Sequence, residues 1–208
     1  MTYKPTFVRK TFETYLTYEE AQDIIKGVPK DRDRLLLRVL WETGARVSEV
    51  NCFTPEHIDP RTSSLILKNL KQKKKKEIIP LKRVFLFVES SLIKDLLTYC
   101  SEEGIKEKEL LFPSPRNSAK PVGEVYIWRL VTKIAKKLSI KKIKGGDFKE
   151  AWPHLFRHGA AMWILKRTGR LDVVRDQLGH RFIATTESYA GLTEEDRGEI
   201  IRKSVTPT

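Results

Sequence analysis

The stretch Trp152-Pro153-His154-Leu155-Phe156-Arg157-His158, followed by Leu178-Gly179-His180 and by Tyr189 nine residues after His180, decides how the chain is read. His154 and Arg157 stand at i and i+3, so on a helix they share one face about 5–6 Å apart. Such a face suits an anionic, tetrahedral group. Arginine forks onto two phosphate oxygens, while histidine donates or accepts one proton. A tyrosine hydroxyl is a poor nucleophile at its ordinary pKa of about 10 and needs a site that stabilises developing negative charge. Alone, an H-x-x-R pair is an ordinary surface pair on a helix, and a lone tyrosine is ordinary packing. The rest of the chain decides between these readings.

The strongest compositional fact is a net charge of +13 on 208 residues. It points to a polyanionic partner, most simply nucleic acid. With 40% hydrophobic and 32% charged residues, the chain reads as one globular domain, or a domain with tails. No apolar run reaches membrane-spanning length, and the opening Met1-Thr-Tyr-Lys-Pro lacks a secretory core. Cys52 and Cys100 show no metal spacing and read as reduced core thiols of a cytosolic protein. Zinc-ligand spacing and a Gly-rich phosphate loop are both absent from the sequence. The expectation is therefore chemistry at phosphate with no cofactor, neither metal nor ATP.

In chain order, Thr17 and Glu20 form a capping box for a helix to Lys26. Asp31 is expected to cap the next helix, which Gly44 stops, and Arg46 to Val50 opens another. Leu65 to Leu70 and Glu77 to Leu81 read as two strands joined by Lys71-Gln72-Lys73-Lys74-Lys75-Lys76, with Pro80 at an edge or an end. A helix over 90–101 turns Leu92, Ile93, Leu96 and Leu97 to one side. Residues 111–123 read as loop. A long helix over 122–138 has Ile127, Leu130, Val131, Ile134 and Leu138 as its core stripe and Arg129, Lys133, Lys136 and Lys137 as a basic flank. Residues 141–146 read as a basic linker, and Pro153 as the first turn of the helix that carries His154 and Arg157. Further helices are expected over 171–178, 185–189 and 194–203. The sum is a mainly α protein with one small antiparallel sheet, an α+β class.

Four pieces now stand in order: Glu42-Thr-Gly-Ala-Arg46-Val-Ser-Glu49, the lysine hairpin ending Ile78-Ile-Pro-Leu81, Pro153-His154-Leu-Phe-Arg157-His158, and Leu178-Gly-His180 with Tyr189. Together they resemble the tyrosine recombinase (phage integrase) family, closest to its Xer-like bacterial and archaeal branch. The resemblance implies that family's catalytic-domain fold over residues 14–192, with a basic arm over 1–13 and a C-terminal helix and tail over 193–208. It implies site-specific DNA strand cleavage and rejoining through a 3′-phosphotyrosyl link, with Tyr189 as nucleophile. Arg46 and Arg157 would clamp the non-bridging oxygens, His154 would accept a proton or hydrogen-bond the phosphate, and His180 would be a further donor. The general acid would be a hairpin lysine, Lys71 or, second, Lys73. Lys73, Lys74, Lys75, Lys76, Arg129 and Lys133 would contact the DNA.

The implied partners are double-stranded DNA and, through the C-terminal helix, further copies of the chain in a dimer or tetramer. No membrane partner is implied. Most members carry an N-terminal core-binding domain, and Arg46 stands too early for one. The expected grip is therefore weak and strongly salt-dependent. A non-catalytic DNA-binding regulator and a type IB-like topoisomerase activity are the alternatives.

Overall fold

Thr17 begins the first helix as its spacing requires. Its hydroxyl accepts from the Glu20 N–H at 3.2 Å, and the Glu20 carboxylate accepts from the Thr17 N–H at 2.9 Å. The computed structural model describes residues 15–68, 81–85, 91–144 and 147–178. Within them run α1 (Tyr18–Lys26), α2 (Asp31–Thr43), α3 (Val47–Val50), a 3-10 turn (Pro55–His57), β1 (Ile58–Asp59), β2 (Ser64–Lys68) and β3 (Leu81–Phe85). These are followed by α4 (Leu92–Glu102), β4 (Pro113–Ser114), β5 (Asn117–Pro121), α5 (Glu124–Lys137), β6 (Lys141–Lys144), β7 (Asp147–Glu150), α6 (His154–Thr168) and α7 (Leu171–Leu178).

The chain is helix-rich with small antiparallel sheets, the α+β class expected. Several details differ from the expectation. Lys30, not Asp31, holds the N-cap of α2. Asp31 and Asp33 lie in the first turn instead, where negative charge suits the positive end of the helix dipole. Three sheets replace one: β1-β2-β3, β4-β5 and β6-β7. The strand paired with β2 is Leu81–Phe85, starting where the expected one ended, with Lys68 opposite Leu81. The expected loop at 111–123 contains the β4-β5 hairpin, and the expected linker at 141–146 supplies β6 of another. Leu97 and Leu138 are both 40% exposed rather than core, and Cys100 takes the inward position one turn after Leu96. Cys52 is half-buried, so only Cys100 is a core thiol. The lysine run and residues 77–80 lie outside the described residues, as do the helices expected over 185–189 and 194–203.

The core is built on α2 and α6. Both are buried nearly all round, α2 from Leu35 to Thr43 and α6 from Leu155 to Leu165, so neighbours cover them on most sides. Trp41 on α2 meets Phe156 on α6 edge to face, ring centroids 6.4 Å apart. Gly159 makes this approach possible. A Cβ there would stand 2.5 Å from the Leu16 carbonyl oxygen and 2.6 Å from the Trp41 ring. Gly159→Ala is therefore expected to lower the urea midpoint, by an overpacking cost of roughly 1–3 kcal/mol. An unchanged midpoint would show that α2 and α6 can part without cost.

Candidate active site

Arg46 sits at the N-cap of α3, just after Gly44 ends α2 in the left-handed conformation at φ +63°. Gly44 is required there, since a Cβ would also stand 2.5 Å from Leu178 Cδ2. Glu49, three residues on, starts α3 by accepting the Arg46 backbone N–H at 2.8 Å. Its other oxygen accepts from Arg46 Nη1 at 2.9 Å.

Glu49 is buried, and its first oxygen also faces Arg157 Nη1 at 3.9 Å. One buried carboxylate thus stands between two guanidiniums contributed by distant parts of the chain. The pair and Glu49 together carry one net positive charge, so the cluster favours an incoming anion.

Arg157 is placed by the second turn of α6 and is only 3% exposed. Nη1 donates to the Gly44 carbonyl at 2.6 Å, and Nη2 to the Leu178 carbonyl at 2.8 Å. These bonds fix the plane of the guanidinium and tie together the ends of α2 and α7. Pro153, one position before α6, already has helical φ of −57° and carries His154 into the first turn. His154 is exposed, and its ring meets His158 edge-on at 4.6 Å between centroids.

Burial, then the neighbouring charges of His154 and Arg157, push the His158 imidazole down to about 4 from its ordinary 6.5. A depressed histidine is neutral when folded but takes up a proton when unfolded, so stability is full above about pH 6.5 and falls as pH drops toward about 4. The urea midpoint should decline across that window. His158→Gln should flatten the decline, and an unchanged slope would contradict this assignment.

Arg46, Arg157 and His154 line one groove of about 470 Å³, with Ala45, Val47, Ser48, Trp152 and Pro153 beside them. Glu124, Val125 and Trp128 of α5 complete its lining. Of the residues singled out in sequence, these three are brought together. Arg129 and Lys133 are exposed on α5, in keeping with a basic flank. Lys71, Lys73, Lys74, Lys75, Lys76, His180 and Tyr189 lie outside the described residues.

Two features escaped the sequence reading. Glu49 was legible only as a local ion pair with Arg46, because nothing in the spacing links it to Arg157. Val125 and Trp128 carry no polar signature, yet they stand in the groove rather than in the core.

The chain is a helix-rich domain in which two arginines and a histidine converge on one groove. The phage integrase family model matches residues 14–196, and the chain belongs to that family. Tyrosine recombinase XerA of Pyrococcus furiosus is 27% identical over 200 residues, covering 95% of this chain and 64% of that protein. Tyrosine recombinase XerC of Xanthomonas axonopodis pv. citri is 29% identical, covering 85% of this chain and 53% of its own length. The chain is thus similar to Xer-type members and spans less than two thirds of the length of these relatives. A crystal structure of XerA recombinase superposes with a TM-score of 0.72 at 22% identity, covering all of this chain and 68% of that one. XerH recombinase bound to its difH substrate, in a pre-cleavage complex, superposes with a TM-score of 0.67 at 20% identity, over 89% of this chain and 52% of that one. At these identities the likeness establishes the catalytic-domain fold.

Proposed function

We propose that this chain cuts and rejoins DNA in site-specific recombination, by transesterification at phosphorus. The observation that carries the reading is the convergence of Arg46 with the distant pair His154 and Arg157 on one groove, with the buried Glu49 between the two arginines. Tyr189 Oη attacks the scissile phosphorus, the bond to the 5′-oxygen breaks, and a 3′-phosphotyrosyl ester forms. His154 accepts the tyrosine proton. Lys71, or Lys73, delivers a proton to the leaving 5′-oxygen. Arg46 and Arg157 stabilise charge on the non-bridging oxygens, and His180 adds a donor. The phosphodiester energy is kept in the ester, so rejoining by a 5′-hydroxyl requires neither nucleotide nor metal.

XerH bound to its difH substrate and the Tn1549 transposon integrase in complex with transposon right end DNA support DNA as the substrate, here taken as double-stranded. Phosphate contacts by Lys73, Lys74, Lys75, Lys76, Arg129 and Lys133 would give most of the affinity and make it strongly salt-dependent. Residues 193–208 would join copies into a dimer or tetramer on DNA. Among the described residues no helix is long and apolar enough to cross a membrane, and with DNA as its substrate the chain would act in the cytoplasm.

The test is a trap. Nicked duplexes made from a pool of fragments of the source genome are incubated with the protein, without metal or nucleotide, and scored for an adduct that survives denaturation. An adduct is expected, and its DNA identifies the recognised sequence. Binding without any adduct would contradict the chemistry and favour a regulator.

A further inference from the structure

The groove has two unlike walls. One carries Arg46, His154 and Arg157. The other carries Val125 and Trp128, which are 62% and 52% exposed on the first turns of α5. Trp152 and Pro153 extend the apolar lining toward the cationic side.

The two exposed side chains are unlike the chain's other large apolar groups near the site. Trp41 is fully buried between Tyr18 and Phe156, and Trp163 is covered by Arg167, with the guanidinium 4.4 Å above its ring. The Trp128 ring stacks on no other ring among the described residues. Its backbone carbonyl accepts from the Thr132 hydroxyl at 2.8 Å, so the helix fixes the point from which the indole leaves the backbone. Beyond Trp128 the same exposed stripe becomes basic at Arg129, Lys133 and Lys136.

A ligand that fits both walls must be anionic at one end and flat and apolar at the other. A nucleotide meets that description: its phosphate faces the arginines and its base faces the indole. A further phosphate does not, because the α5 wall offers the carboxylate of Glu124 and no cation inside the groove. A base paired and stacked within a duplex does not either, since both its faces are covered by its neighbours.

We propose that Trp128, flanked by Val125 and Trp152, is a stacking shelf for an unpaired nucleobase next to the phosphate held by Arg46 and Arg157. This rests on the proposed function and extends it: the site holds a single-stranded nucleotide, as strand exchange between cleavage and rejoining would require. Stacking on an aromatic ring tolerates any base, so the shelf grips without reading sequence.

The test uses the full chain and two probes of equal length: a thymidylate oligonucleotide, and an abasic oligomer with the same number of phosphates. The wild type should bind the thymidylate probe roughly tenfold more tightly, with quenching of tryptophan fluorescence. Trp128→Ala should bind both probes equally, with an unchanged salt slope because the phosphate contacts are the same. Trp128→Phe should keep most of the preference. Equal binding of the two probes by wild type would overturn the shelf, as would full preference in Trp128→Ala. Failure of wild type to bind either probe while it binds a duplex at low salt would overturn the shelf alone, and failure to bind the duplex as well would overturn the nucleic-acid reading beneath it.

Discussion

Arg157→Ala is expected to destroy strand cleavage and, at the same time, to destabilise the fold by roughly 3–5 kcal/mol, the range seen when one partner of a buried ion pair is removed. The two effects have one origin. The guanidinium satisfies the carbonyls of Gly44 and Leu178 and offsets the charge of Glu49, all of them out of water. Alanine leaves a buried carboxylate with Arg46 as its one remaining cation among the named partners, and leaves two carbonyls short of a donor. The catalytic loss comes from the transition state, where removing a positioned charged donor costs on the order of a hundredfold to a thousandfold in rate.

Arg46→Ala separates the two effects. Arg46, at the N-cap of α3, is half-buried, with its side chain 19% exposed. Its loss should cost a similar factor in adduct formation with a smaller shift of the denaturation midpoint, because Glu49 loses its 2.9 Å partner but the Gly44 and Leu178 carbonyls keep their donor. An Arg157→Ala protein as stable as wild type would refute the tie between α2 and α7.

Tyr189→Phe should bring covalent attachment to zero while leaving DNA affinity nearly unchanged. The variant loses one hydroxyl from a neutral side chain, so no phosphate contact by lysine or arginine is disturbed. The readout is the adduct surviving denaturation on a nicked duplex, beside a filter-binding curve for the same substrate. A Phe variant that still forms the adduct would remove Tyr189 from the nucleophile's place. A variant that loses binding as well would give the hydroxyl a role in grip rather than in attack.

The helices were legible because their ends are written locally. Thr17 with Glu20, and the left-handed glycines Gly44 and Gly169, mark starts and stops that need no tertiary contact. The small hairpins were not legible. Asn117–Pro121 is polar and mostly exposed, and Lys141–Lys144 has a single apolar residue, so neither shows the alternation of a half-buried strand. Their pairing rests on backbone bonds between adjacent segments. At the site, His154 and Arg157 could be placed together from their spacing. That Arg157 is also a buried structural tie depends on Gly44 and Leu178, far away in sequence, and no local pattern announces it. Trp128 was hidden for the opposite reason, since an aromatic residue on an amphipathic helix ordinarily faces inward.

The bonds from Arg157 to Gly44 and Leu178 also bear on safety. Under the proposed function, a damaged copy that kept its reactive groups would be a hazard to DNA. The guanidinium proposed to steady the scissile phosphate is also one of the clasps of the folded chain, so heat or a bad substitution that springs the clasp would disarm the proposed chemistry with it.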